Sequence, residues 1–351
     1  MRLHHLHLPR PIPYSHSLRL QEALLERHFA DKTALRKDAS LTSVAPPPTL
    51  LTFQTHPTYT VGRRHLNANP LSPSQISFLT GNNAIEPPKS SPEQPVSLAT
   101  FYPSPRGGLL TYHAPGQLTA YLVCNLRTHN LTPRCYIRML ENTIMRTCAR
   151  QGVANVITTE DPGVWIAEAS TQSSQEAEDK SSGPPGSTKV PAEMTPTNRK
   201  ICAIGVQVSR GITSHGIGLN VFDTPIQEPV NIKKLYTLPQ STVYRDSSAP
   251  QLEDAENPED STIPAPGYLS WGFSRIVACG LEGKSVTWLS REQQEAQEDR
   301  GQVIHAPHLN SNLALQGVAN SLALEVALSL KIDERAIDRI TEEDIIDEDG
   351  T

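Results

Sequence analysis

The chain has 351 residues, of which 37% are hydrophobic and 30 are prolines, enough for one large domain or two small ones but too apolar-poor for every part to pack. The formal charge of −6 hides an asymmetry: stretches 168–196, 246–260 and 341–349 hold 17 of the 37 acids and 2 of the 31 bases, leaving a body of 29 bases and 20 acids that would attract acidic partners. No apolar run is long enough to cross a bilayer, which excludes a helical membrane span.

Residues 1–14 contain Arg2, Arg10 and several histidines but no acid, the composition of a short mitochondrial leader, although Pro9, Pro11 and Pro13 interrupt an amphipathic helix. Leu18, Leu20, Leu24, Leu25 and Phe29 then recur at helical spacing to about Ala34. After prolines at 46–48, Leu50 to Phe53 reads as a buried strand, and a Pro/Ser-rich insertion follows at about 83–105.

The next stretch is Arg106-Gly107-Gly108-Leu109-Leu110-Thr111-Tyr112-His113-Ala114-Pro115-Gly116-Gln117. Its glycines permit a tight turn and a close approach of backbone to a ligand. Arg106, bare backbone N–H groups and His113 would converge on one edge suited to an acyl carbonyl or carboxylate. The plainer reading is a tight turn between paired strands, the second running from Leu118 to Leu126.

Thr132-Pro133 opens a predicted helix to about Gln151, with Thr132 as N-cap and Tyr136, Leu140, Ile144 and Cys148 on one face. Val164 to Ile166 is a short strand. Residues 169–198 and 246–266 are polar and proline-bearing, hence expected to be disordered insertions. Between them, Lys200 to Phe222 reads as two strands joined at Arg210-Gly211. A further insertion is expected at about 290–311, then a helix over Leu313–Leu330 and an acidic tail at 331–351. The elements together indicate an α+β fold with a catalytic domain over 15–330.

Cys279 ends the apolar run Ile276-Val277-Ala278 and precedes Gly280, so it is either a buried thiol or a nucleophile at a strand end. An ordinary thiol is at most about a tenth ionised at neutral to mildly alkaline pH. An ammonium at about 4 Å would favour the thiolate by roughly 4 kcal/mol before desolvation opposes it. The five cysteines form no Cys-x-x-Cys pair and read as reduced thiols. Gly280 to Ser285 fails the spacing of a P-loop, because the first required glycine falls on Ala278. No His/Cys pair has metal-ligand spacing.

Arg-Gly-Gly-x-x-Thr-Tyr-His-x-Pro-Gly-Gln resembles the defining motif of the lipoyl(octanoyl) transferases. Lys200-Ile201-Cys202-Ala203-Ile204-Gly205, Thr213 to Asn220, Ile276 to Gly280 and, upstream, Tyr59 to Arg64 fit the same family in the same order. Departures are small: Ala114 and Gly218 replace the usual glycine and alanine, Cys202 an alanine, and Ala278 a proline. The resemblance implies the fold of the biotin and lipoate protein ligases, a mixed, largely antiparallel sheet flanked by helices. It implies Cys279 as nucleophile and Lys200 as its partner. It also implies an acyl pocket lined by Arg106, Gly107, Gly108, Leu109, Leu110, Thr111, Tyr112, His113, Ala203, Ile204, Gly205, Gly216, Ile217 and Gly218. His113 and His215 could orient a carbonyl or bond the backbone.

The implied reaction moves octanoyl from an acyl carrier protein to a lysine of a lipoyl-domain protein, such as glycine cleavage H protein or a 2-oxoacid dehydrogenase E2 subunit. It needs no cofactor, metal or nucleic acid, and the resemblance implies a mitochondrial monomer. The competing readings are an ATP-dependent lipoate–protein ligase on the same fold and a non-catalytic acyl-binding scaffold.

Overall fold

The run Thr49–Thr55 is buried along its whole length, which suits a strand inside a sheet covered on both faces. A computed structural model describes residues 1–38, 45–68, 70–82, 97–167, 198–226, 267–276, 285–298 and 311–346. In chain order the elements are β1 (Leu3–Ile12), α1 (Tyr14–Lys37), β2 (Thr49–Thr55), β3 (Thr58–Gly62), α2 (Arg63–Ala68) and α3 (Pro73–Thr80). There follow β4 (Thr100–Ser104), β5 (Leu110–His113), β6 (Gln117–Val123), α4 (Pro133–Arg150), β7 (Val156–Thr158) and β8 (Gly163–Ile166). The remainder is β9 (Arg199–Ser209), β10 (Ile212–Asn220), α5 (Tyr268–Phe273), β11 (Ser285–Val286), α6 (Leu289–Glu298), α7 (Ser311–Ser329) and β12 (Ile337–Arg339).

Among the described residues, nine strands form the main sheet in the order β12-β1-β2-β6-β10-β9-β8-β7, with β11 also on β9; β4-β3-β5 form a second sheet. Among the described residues, five pairings of the main sheet are antiparallel and three parallel, so the architecture is the expected mixed, largely antiparallel α+β fold. Strand alternation divides its side chains between two cores. Leu50, Leu118, Ala120 and Leu122 pack with Ile144 of α4 and Leu322 of α7, whereas Leu51, Phe53, Tyr121 and Val123 pack with Leu20 and Leu24 of α1. A third cluster joins Tyr59 and Tyr112 of the small sheet to Trp271 and Phe273 of α5.

Local chemistry explains the clearest boundaries. Thr132 caps α4 by accepting from Cys135 N–H at 3.2 Å, and Pro133 occupies the first turn, where no N–H is needed. Tyr136, Leu140, Ile144 and Cys148 are all buried.

Several expectations are corrected. Residues 3–12, where no strand was expected, form β1 between β2 and β12, with Leu3, Leu6 and Leu8 buried; its prolines fall where the register with β2 shifts, so the ladder loses little by their missing N–H groups. The end of the expected insertion at 83–105 is β4, paired parallel with β3, and the one expected at 290–311 contains most of α6. β5 and β6 do not pair: β5 joins β3, whereas β6 lies between β2 and β10. The acidic tail returns as β12 against β1, and Ile332 and Ile345 are buried. Asp338 and Arg339 sit on this edge strand, where charge discourages pairing with another chain. The insertions at 169–197 and 246–266 lie outside the described residues, apart from Asn198 at the end of the first.

Ending the chain after Lys331 tests whether the acidic end belongs to the core. Each lost isoleucine contributes about 1.5–3 kcal/mol, so thermal unfolding should shift down by roughly 6–12 °C. An unchanged transition would show the segment to be dispensable.

Candidate active site

The motif loop begins where β4 ends. Gly107 N–H donates to Val206 O at 3.1 Å, laying the loop against β9. Arg106 is buried, and its guanidinium donates to Gly107 O (2.9 Å), Thr60 O (2.9 Å), Thr60 Oγ1 (2.8 Å) and Leu109 O (3.0 Å). A planar fork of donors can satisfy several carbonyls of a turn that has no ladder partner. The expected approach of this cation to a carboxylate is therefore corrected: these donors are aimed at the backbone, and Arg106 shapes the wall. Close approach here demands glycine, since a Cβ on Gly62 would lie 2.2 Å from Gly108 O.

Beyond the loop, β5 alternates. Thr111 and His113 face a cavity, whereas Leu110 and Tyr112 point into the third core. Tyr112 is fully buried with its ring 4.6 Å from Tyr59. Leu110 and Tyr112 thus do not line the expected pocket, because a strand presents every second side chain to one face.

His113 Nδ1 lies 2.6 Å from Gln117 Oε1. Gln117 Nε2 donates to Tyr112 O and Asn220 Oδ1, and Asn220 Nδ2 to Thr287 O. With the amide so oriented, Nδ1 carries the His113 proton. Burial, reinforced by Arg106, lowers the His113 pKa to about 4, so the ring is neutral at pH 7.

His215 stands in the left-handed region at φ 59, held by Gln21 Oε1 accepting its N–H and by Ser104 Oγ at 3.2 Å from Nε2. Burial, then the charges of Arg106 and His113, lowers its pKa to about 3.

Lys200 enters from the start of β9. It is 3% exposed, and Nζ has no hydrogen-bond partner among the described residues. The ammonium lies 4.7 Å from the ring centroid of Trp165, a cation–π contact. Gly163, at φ 145, leaves the room it needs: a Cβ there would be 2.7 Å from Lys200 Cε. Gly163 N–H donates to Glu141 Oε1 at 3.3 Å, and burial raises the pKa of that carboxyl. On the backbone, β11 pairs with Arg199 and Lys200, and Thr287 N–H donates to Lys200 O at 3.0 Å.

These groups surround a cavity of about 280 Å³. Arg106–Leu109, Thr111 and His113 form one side, and Lys200, Ala203–Gly205 and Gly216–Gly218 the other. Tyr121, Ile137, Asp161, Pro162, Val206 and His215 complete the lining. The first five carried no site signal in the sequence. Gly216 lines the cavity and also serves strand packing, since a Cβ there would meet Ala120 O at 2.1 Å. Cys279 lies outside the described residues. No group of three or more His, Cys, Asp or Glu side chains among those described could hold a metal ion.

His215 gives a pH prediction. It is neutral in the fold down to about pH 3, whereas the unfolded chain takes up a proton near 6.5. Its contribution to stability is full above pH 6.5 and is lost as pH falls towards 3, by at most about 1.4 kcal/mol per pH unit. Asparagine tolerates the left-handed backbone. His215→Asn should therefore flatten the acid limb of stability measured by urea unfolding between pH 6.5 and 4.5. An unchanged limb would assign the acid sensitivity elsewhere, with His113 the next group to replace.

The lipoyl protein ligase A/B catalytic domain family matches residues 13–236. Among curated proteins, "Probable octanoyltransferase" of Schizosaccharomyces pombe is 34% identical over 50% of this chain and 57% of its own length. The mitochondrial octanoyl-acyl-carrier-protein:protein N-octanoyltransferase of Danio rerio is 26% identical over 82% of this chain and 81% of its own. The mitochondrial octanoyltransferase of Saccharomyces cerevisiae is 26% identical over 62% and 66% respectively. The chain thus spans little more than half of the fission-yeast relative but most of the zebrafish one. With the match covering most of the described core, the chain belongs to the lipoyl protein ligase A/B catalytic domain family.

Proposed function

We propose that the chain is an octanoyltransferase that moves octanoyl from a thioester on an acyl carrier protein to a lysine of a lipoyl-domain protein, the first step of lipoate assembly. The observation that carries this reading is Lys200, a buried amine without a hydrogen-bond partner among the described residues, set at a largely apolar cavity. Its backbone holds β11, the strand that follows the segment containing Cys279. The nucleophilic role of Cys279 rests on the motif resemblance and on relatives named octanoyltransferases.

In the first step the Cys279 thiolate attacks the thioester carbonyl. A new C–S bond forms, the old one breaks, and the carrier thiolate leaves with the proton of the Lys200 ammonium, which leaves that amine neutral. This exchange is nearly balanced, so no nucleotide is required. In the second step a deprotonated lysine of the acceptor attacks the acyl-enzyme, forming a C–N bond and releasing the Cys279 thiolate. Neutral Lys200 accepts the proton lost by the attacking nitrogen. The ammonium form of Lys200 favours the thiolate before attack.

Cys202 is a poor rival, since it is fully buried and burial pushes its thiol well above the ordinary range. Acceptors of the glycine cleavage H protein or 2-oxoacid dehydrogenase E2 type and a mitochondrial location agree with this reading. The zebrafish and budding-yeast relatives are named mitochondrial.

Octanoyl carrier protein, without ATP, should add one octanoyl group mapped by peptide mass spectrometry to Cys279. A strict requirement for ATP would favour a ligase, and no acylation at all a binding scaffold. Lys200→Met should slow aminolysis by about 10²–10⁴-fold, with acylation recovering as pH rises; Lys200→Arg should retain acylation better than aminolysis. Iodoacetamide labelling of Cys279 is best followed with Cys135→Ser, because Cys135 is exposed. Wild-type rates in Lys200→Met would remove the dyad.

A further inference from the structure

Away from the cavity, the turn between β9 and β10 gathers positive charge. Arg210 and Gly211 take φ 51 and 81, the left-handed pair that joins strands by a two-residue turn. A Cβ at Gly211 would sit 3.5 Å from Lys32 Nζ and 3.9 Å from Arg127 Cγ. Lys32 donates to Arg210 O at 2.5 Å, and the Arg210 guanidinium lies 3.7 Å from the centre of the Phe29 ring. Thus α1, the loop after β6 and the hairpin each bring a cation to one place. Arg36, one helical turn beyond Lys32, extends it. Burial and then the charges of Arg127, Arg36 and Arg210 lower the Lys32 pKa, with Asp31 opposing. The carbonyl and ring contacts hold Lys32 and Arg210 without neutralising them.

We propose that this end of α1 and the β9–β10 hairpin is the docking surface for an acidic face of the acyl carrier that presents the thioester. The proposal rests on the octanoyl-transfer reading. Crowding like charges works against folding, so their gathering needs a partner that repays it, and an acidic protein face supplies the complementary charge. Leu35, among the few large apolar side chains exposed in the described residues, lies on the same helical end and offers an apolar contact beside the cations. Two elements lead from the surface to the cavity. Along β9, four residues separate Val206 from Arg210, roughly 13 Å. Along α1, eleven residues separate Gln21, which holds His215, from Lys32, roughly 16 Å. A carrier docked there would hand its acyl group inward on a tether. Encounter governed by rim charge is fast and reversible, as a donor that must leave after each transfer requires.

The test is Arg36→Glu/Arg127→Glu, which leaves both the cavity and the contacts of Lys32 and Arg210 in place. Single-turnover acylation by octanoyl carrier protein at low salt should fall at least about tenfold. The difference should shrink near about 0.5 M salt. Acylation by a small neutral octanoyl thioester, and transfer from acyl-enzyme to a lipoyl domain, should stay within about twofold. An unchanged carrier rate, or equal loss with both donors, would overturn the proposal. Loss confined to the lipoyl-domain step would give the surface to the acceptor instead. If neither donor acylates the wild type, the transferase reading fails. The surface is then judged by interferometry with the carrier, and equal or absent binding by wild type and variant rejects it.

Discussion

The guanidinium of Arg106 stands where the two sheets meet, and its hydrogen bonds allow them to meet. The loop that crosses from β4 to β5 turns too sharply for its carbonyls to join either ladder. Each buried carbonyl left without a donor would cost about 1–3 kcal/mol. Arg106 answers those of Gly107 and Leu109, and also the carbonyl of Thr60 on β3, with one side chain, while Gly107 N–H ties the loop to Val206 of β9. A lysine, a point charge with a single nitrogen, could not reach the same set of acceptors. The wall of the cavity follows from this arrangement.

The opposite wall is held by a chain of amides. His113, Gln117, Asn220 and Thr287 connect the motif strand, through β6 and β10, to the residue after β11. From the other side, Glu292 of α6 accepts from Arg199 at 2.8 Å and from the Thr287 hydroxyl. Both networks converge on the turn of chain bonded to Lys200 O. They keep the backbone beside the buried amine in one position, which the proposed pairing with Cys279 requires.

Burial sets the electrostatics of this region more than charge pairing does. His113 and His215 are neutral at pH 7 chiefly because they are removed from water, with Arg106 opposing their protonation. The ring nitrogens bonded to Gln117 and Ser104 tie both neutral rings into the hydrogen-bond network of the protein itself. Charge is instead concentrated on the surface, around the β9–β10 turn, where water screens it and a partner can reach it.

By itself the sequence determined those features whose physical cause is local. The helical apolar spacing of α1 and α4, the Thr132-Pro133 start and the Arg210-Gly211 turn are written in neighbouring residues. So is the succession of motif blocks, whose glycines and cations mark a site irrespective of how the chain is arranged between them. Tertiary structure decided what depends on partners far away in sequence. Residues 3–12 and 337–339 are unconvincing strands alone; the first becomes one against β2, and the second because β1 supplies an edge. Alternation along β5 was visible, but only the packing of Trp271 and Phe273 shows that Tyr112 is on the inner face and His113 on the cavity face. Arg106 looked like a ligand-binding cation because its acceptors, carbonyls at residues 60, 107 and 109, have no signature in side-chain sequence. A hydrogen bond to backbone is invisible until the fold brings that backbone near.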